Sequence, residues 1–238
     1  MLIANINSVQ IISDNISKQI LHNIYFQLNK GFIYSILGKN GSGKSTLINT
    51  ITNLLDNTIY NIDANIEFDG LNIFEIDNNQ LLRIRKEKVR YVFQDSINSF
   101  DNLKKFAYYF KMLNSSDEEI DEMLEYFLLP DKNKLYNLYP YEVSGGMAQR
   151  IAVCLSILAK PKLLILDEPT SAIDINISNI LCNKLKEFVK ETESSILLIT
   201  QDLDFAQHVS DFIAYMENKT LSQFYTIDNY MKLKSIIY

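Results

Sequence analysis

Residues Gly38-Lys39-Asn40-Gly41-Ser42-Gly43-Lys44-Ser45 fit the spacing G-x-x-x-x-G-K-[ST], and no other stretch constrains the fold as tightly. By average residue usage, a chance match in a chain of 238 residues is on the order of one in a hundred. The surroundings sharpen it. Phe32 to Leu37 is a continuous apolar run, as a strand buried on both faces requires. A helix is expected from Lys44 to about Leu54. Strand, glycine loop and helix together make an anion site. Glycines let the backbone close around phosphate oxygens, and the freed N–H groups and helix N-terminus offer partial positive charge. Lys44 supplies a full charge, Ser45 offers a hydroxyl to Mg²⁺, and Thr46 follows in the first helical turn.

Two further motifs carry related chemistry. Leu163-Leu164-Ile165-Leu166-Asp167-Glu168 is an apolar strand that ends in two carboxylates. Such an ending suits a cation and an attacking water, with Asp167 toward the metal and Glu168 toward the water. Ser144-Gly145-Gly146-Met147 opens an apolar-periodic helix through Ile151, Leu155 and Leu158, which makes Ser144 an N-cap candidate and the segment a second anion site. The chain has seven glycines, and five of them (Gly38, Gly41, Gly43, Gly145, Gly146) lie in these two motifs.

The rest of the chain reads as an α/β domain. Ile20 to Leu28, Ile66 to Phe68, Val89 to Phe93, Leu163 to Leu166 and Ile196 to Thr200 are expected strands, with a turn at Asp69-Gly70 and a helix from about Ile177 to Thr192. Ser96 to Lys160 is helical in pattern, punctuated by Pro130 and Pro140, with Ser115 or Ser116 as an N-cap. The alternation implies a mostly parallel sheet covered on both faces. We expect one domain over 1–238, with a β-rich N-terminal part and a helical insertion at about 96–160. Hydrophobic residues make up 47% of the chain, which excludes disorder, and the net charge of −6 argues against a nucleic-acid partner. Cys154 and Cys182 have no metal or disulfide spacing, no leader pattern is expected in Met1 to Asn7, and no apolar stretch reaches the roughly 18 residues of a membrane span.

The ordered set of motifs resembles the nucleotide-binding subunits of ABC transporters over nearly the whole chain. It comprises the phosphate loop, Gln94 in Val92-Phe93-Gln94-Asp95, Val143-Ser144-Gly145-Gly146-Met147, Leu166-Asp167-Glu168-Pro169-Thr170 and Ser171-Ala172-Ile173-Asp174. The resemblance implies a P-loop NTPase core of ABC type that binds Mg-ATP in a head-to-tail dimer. Gly38 to Thr46 of one chain and Ser144, Gly145, Gly146, Met147 and Asp174 of the other would enclose each ATP. Ser45, Gln94 and Asp167 would serve the metal. Glu168, Gln94 and Gln201 would serve hydrolysis. It also implies polytopic permease subunits and a cytoplasmic position on the inner face of the cell membrane. Phe68-Asp69-Gly70, Leu82-Arg83-Ile84-Arg85, Tyr91 to Asp95, Ser99-Phe100 and Gln149-Arg150 are similar to the peptide/nickel importer branch. An exporter or lipoprotein-release ATPase and a soluble cassette are the alternatives. Docking to the permease is expected on Ser96 to Tyr109, rich in rings (Phe100, Phe106, Tyr108, Tyr109), unless these rings are core.

Four positions depart from the pattern. Gln201, in Thr200-Gln201-Asp202, stands where the family has a histidine facing the γ-phosphate; His22 and His208 are not placed to substitute. A neutral amide there implies slow hydrolysis and an unequal pair with a second, histidine-bearing cassette; the alternative is a homodimer in which glutamine suffices. No aromatic falls near Asp14 to Ile16 to stack on adenine. Asn218 replaces a hairpin glycine, and the chain stops at Tyr238, where peptide importers often extend.

Overall fold

The computed structural model describes residues 1–13 and 16–237. Along the chain lie β1 (Leu2–Ser13), β2 (Ile16–Leu28), β3 (Ile33–Leu37), α1 (Lys44–Ile51), β4 (Tyr60–Phe68), β5 (Leu71–Asn72), α2 (Asn78–Glu87) and β6 (Val89–Val92). A helical stretch follows: α3 (Phe106–Phe110), α4 (Asp117–Tyr126), α5 (Lys132–Leu135), a 3₁₀ turn at Pro140–Glu142 and α6 (Gly145–Leu158). The chain then runs through β7 (Leu163–Asp167), α7 (Ile175–Thr192), β8 (Ser195–Thr200), α8 (Leu203–Val209), β9 (Phe212–Glu217), β10 (Thr220–Leu221), β11 (Tyr225–Thr226) and α9 (Ile227–Ile237). Among the described residues, no helix is long and apolar enough to cross a membrane.

Two sheets result. β2-β1-β4-β5 is antiparallel throughout, whereas β9-β3-β8-β7-β6 run parallel, with the short β10 and β11 antiparallel against β9. The parallel strands lie between two cores. Leu164, Leu166, Ile196 and Leu198 point to a core shared with α3, α4, α6 and α7. Their neighbours Leu163, Ile165, Leu197 and Ile199 point to a core shared with α1 and the antiparallel sheet. Every residue of β3, β7 and β8 is buried, which explains why these strands read as unbroken apolar runs rather than alternating ones.

The sequence expectations hold in outline and shift in detail. α1 stops at Ile51 rather than Leu54, because Asn53 adopts φ 52° and the Leu54 N–H turns back to the Asn49 carbonyl. α7 starts two residues early, at Ile175, since Asp174 caps it by accepting from the Asn176 and Ile177 N–H groups. β2 extends back to Ile16, β6 ends at Val92, and β1 and α2 were not anticipated. α2 begins with a capping box, Asp77 and Gln80, that was legible in the sequence. Ser116, not Ser115, caps α4, with Glu119 closing the box; the Ser115 hydroxyl instead donates to the Leu158 carbonyl. Asp69 and Gly70 both take positive φ in the β4–β5 turn, and Asn218 takes φ 48° in the β9–β10 hairpin, a conformation asparagine tolerates.

The aromatic cluster after β6 divides. Phe106 is fully buried and Phe100 nearly so, which makes these two rings core, and the half-buried Tyr109 packs edge-on against Phe100. Tyr108 is the exposed one, and Leu103, five residues earlier, is 85% exposed. Phe106→Ala is expected to cost about 3–5 kcal/mol of unfolding free energy, and Leu103→Ala less than about 0.5 kcal/mol. Urea denaturation of both variants measures the contrast; equal losses would contradict this division of the segment.

Candidate functional site

The site is built at the carboxyl ends of three adjacent strands. β3 delivers the loop Gly38–Gly43, β7 ends at Asp167, and β8, hydrogen-bonded between them, ends at Thr200. The crevice outside such strand ends is the usual ligand position in parallel sheets. It holds a cavity of about 210 Å³ lined by Ile20, Asn40, Gly41, Gly43, Lys44, Ser45, Thr46, Gln94, Asp167 and Glu168.

Local geometry explains two of the loop glycines. A Cβ at Gly38 would stand 2.7 Å from the Met216 carbonyl oxygen, and Gly43 sits at φ 106° with Leu21 2.9 Å from where its Cβ would be. The loop therefore closes tightly over β9 and β2 because it carries no side chain there. Lys44 begins α1 and turns back under the loop, where Nζ donates to the carbonyls of Gly38 (2.7 Å) and Lys39 (3.0 Å). Burial lowers the Lys44 pKa, and the charges of Glu168 and Asp167 oppose that shift. The Ser42 hydroxyl is buried and has no protein partner among the described residues, so it is available to a phosphate oxygen.

Asp167 accepts from the Ser45 hydroxyl (3.3 Å) and the Tyr91 hydroxyl (3.2 Å), both at Oδ2. Burial raises its pKa and the neighbouring Glu168 adds to this, while the two hydroxyls and Lys44 pull it down. Burial also pushes the Tyr91 hydroxyl upward, so it remains a donor. A hydroxyl beside a carboxylate is a hard oxygen set that suits Mg²⁺. Among the described residues there is no group of three His, Cys, Asp or Glu to form an all-protein cage, and Mg²⁺ bound through one carboxylate and substrate phosphates needs none.

Glu168 sits at φ 48°, a strained backbone for a non-glycine residue that costs of order 1–3 kcal/mol. Its N–H donates to the Ile199 carbonyl at 2.8 Å, and its carboxylate accepts at both oxygens from Gln201: the backbone N–H at 3.1 Å on Oε2 and the side-chain amide at 3.2 Å on Oε1. The same amide nitrogen donates to Asn40 Oδ1 at 2.7 Å.

The structure thus gathers Gly38 to Thr46, Gln94, Asp167, Glu168 and Gln201. It does not bring Ser144, Gly145, Gly146, Met147 or Asp174 to this cavity. Ser144 is exposed and caps α6 by accepting from the Met147 N–H. Gly146 lies against the loop before α7, where a Cβ would meet the Ala172 carbonyl oxygen at 2.6 Å. Behind it the buried Gln149 accepts from the Ser96 hydroxyl, and Arg150 ties α6 to the carbonyls of Phe127 and Leu128. Neither Ile20 nor Tyr91 was expected from the sequence to belong to the site. Tyr91 reaches Asp167 because β6 pairs with β7, a register no local pattern reveals. Asp14 and Asn15, where an adenine-stacking ring was sought, lie outside the described residues. His208 Nδ1 lies 2.7 Å from the Asp204 carbonyl oxygen of its own helix, and both cysteines are buried and free.

The ABC transporter family model matches residues 21–171, well over half of the chain. The chain belongs to the ABC transporter family. It is 30% identical over 220 residues to the oligopeptide transport ATP-binding protein OppD of Bacillus subtilis (strain 168), covering 88% of this chain and 62% of that protein. It is 31% identical over 205 residues to OppD of Salmonella typhimurium (strain LT2), covering 82% and 61%. The dipeptide transport ATP-binding protein DppD of Bacillus subtilis matches at 30% over 208 residues, covering 83% and 62%. The matched region therefore spans about six tenths of the length of these curated relatives. Among solved structures, the dimeric post-hydrolysis state of the ATP-binding cassette MJ0796 bound to ADP and Pi superposes with TM-score 0.82 at 22% identity, covering 95% of this chain and 99% of that one. CbiO1 from Clostridium perfringens gives TM-score 0.77 at 23% identity, covering 99% and 92%. These structures show that the fold is that of an ABC cassette.

The Gly146–Ala172 contact makes a stability prediction. The atom in the way is backbone, so Gly146→Ala is expected to push α6 off the loop before α7 at a cost of about 1–3 kcal/mol. Denaturant unfolding checks it; an unchanged midpoint would mean the two segments are not held together there.

Proposed function

We propose that this chain is an ATP-hydrolysing cassette that powers a membrane importer of peptides, acting as one half of a head-to-tail pair. The observation that carries the proposal is the cavity between the Lys44 loop and the Asp167–Glu168 strand end, with cationic and acidic groups facing one space. Lys44 compensates the β- and γ-phosphate charge, and the loop N–H groups and the Ser42 hydroxyl take the remaining oxygens. Ser45, Asp167 and Gln94 would hold Mg²⁺, which would supply charge neutralisation to the phosphates. Glu168 orients and polarises the attacking water.

What the cavity lacks supports a partner cassette. Ser144-Gly145-Gly146 is a helix start with an exposed serine, an anion site that its own chain does not use. A second cassette turned head to tail would close each ATP with this segment, and Asp174, exposed at the N-cap of α7, would link the two sites. The peptide substrate and the permease partners are supported by the transport names of the relatives. Tyr108 and Leu103 offer the exposed part of the permease-docking segment. The cassette then works on the inner face of the cell membrane.

Two variants test the chemistry. Lys44→Ala is expected to abolish ATP binding by calorimetry. Glu168→Gln is expected to bind ATP, lose at least about 100-fold in turnover and accumulate as a dimer by size-exclusion chromatography with ATP. Wild-type affinity in the first or wild-type turnover in the second would remove the assignment.

The transport reading has its own test. Detergent extracts should yield polytopic membrane proteins together with the tagged chain, and peptides should stimulate ATP hydrolysis by that complex. Recovery of the chain without membrane subunits would favour a soluble cassette.

A further inference from the structure

We infer that Gln201 is a positioning residue for Glu168, working through a three-residue chain Asn40–Gln201–Glu168 rather than by touching the γ-phosphate. The inference rests on the ATPase reading above and assigns the mechanism of its least regular residue.

A glutamine side chain offers two N–H donors on one nitrogen. Both are engaged here, one on Asn40 Oδ1 at 2.7 Å and one on Glu168 Oε1 at 3.2 Å. No side-chain N–H remains for a phosphate oxygen while these bonds stand. The Gln201 backbone N–H holds the other carboxylate oxygen at 3.1 Å, so one residue fixes both oxygens of Glu168 and with them the plane of the carboxylate. Fold topology sets this up. β8 runs between β3 and β7, so the residue after Thr200 falls between the phosphate loop and the acidic strand end. Asn40 lines the cavity and joins the far end of the chain to the loop that cradles phosphate. The strained φ of 48° at Glu168 shows that its placement is imposed by neighbours rather than by local preference.

The consequences are specific. A neutral amide donor orients the carboxylate without adding a positive charge, so Glu168 keeps an acceptor face for water. The orientation of the base also depends on a phosphate-loop side chain. Misplacing a reacting group by about 1 Å can cost on the order of 100-fold in rate.

Steady-state ATP hydrolysis by the full chain tests the chain of bonds. Gln201→Ala is expected to lower kcat about ten- to a hundredfold while KM stays within about twofold. Gln201→Glu, equal in shape but without the amide donors, should fall at least as far. Gln201→His, which keeps a ring N–H, should recover most of the loss. Asn40→Ala should lower kcat by less, and the Asn40→Ala/Gln201→Ala pair should be no slower than Gln201→Ala alone, because the two residues act through one chain of bonds. An unchanged kcat in Gln201→Ala, a loss confined to KM, or multiplying losses in the double variant would overturn the inference. If Glu168→Gln stops turnover and Gln201→Ala does not, this inference fails and the ATPase reading stands. If Glu168→Gln hydrolyses normally, the ATPase assignment of Glu168 fails first.

Discussion

β3, β7 and β8 are buried on both faces, with alternate side chains assigned to the helical core and to the core under the antiparallel sheet. Strands held this way have no free face on which to present polar groups, so chemistry is confined to their ends. Their parallel pairing brings three carboxyl ends to one edge, and the loop, the acidic pair and Gln201 meet there. Everything else described in the site depends on this stacking, including the approach of Met216 and Leu21 that admits only glycine at positions 38 and 43.

Charge at that edge is balanced across strands. Lys44 is buried beneath its own loop, and the two carboxylates that counter the desolvation of its ammonium come from β7. Asp167 is itself desolvated and is held by hydroxyls from α1 and β6. Removing one member would leave another buried without compensation, which is costlier than the loss of a surface ion pair. The arrangement suits a ligand that carries both negative phosphate oxygens and a divalent cation.

The helical stretch between β6 and β7 holds the Ser144 segment apart from the cavity. Gly146 packs on the loop before α7, and Arg150 and Gln149 fasten α6 to the segments after α4 and β6. Ser144 is consequently held at an exposed helix start, away from the cavity of its own chain. A division of this kind is what the proposed sharing of a site between two cassettes would require.

The sequence by itself determined the phosphate loop, the acidic strand end, the capped helix at Ser144 and the alternation of strands with helices. Each depends on residues close along the chain: glycine for backbone approach, an N-cap before a periodic helix, an apolar run for a doubly buried strand. Boundaries were less legible where a single residue in the left-handed region decided them, as Asn53 does for α1. What only the tertiary structure decided is which of these segments meet. The Tyr91 hydroxyl reaches Asp167 through strand pairing across 76 positions, and the amide of Gln201 reaches Asn40 across 161. The rings of Phe100 and Phe106 proved to be core and Tyr109 half-buried against them, while Tyr108 stayed outside, because which face of a short helix is covered depends on what packs over it. Strand order carries no local signature, since the ladder bonds that fix it join residues far apart, and it was strand order that set Gln201 between the phosphate loop and Glu168.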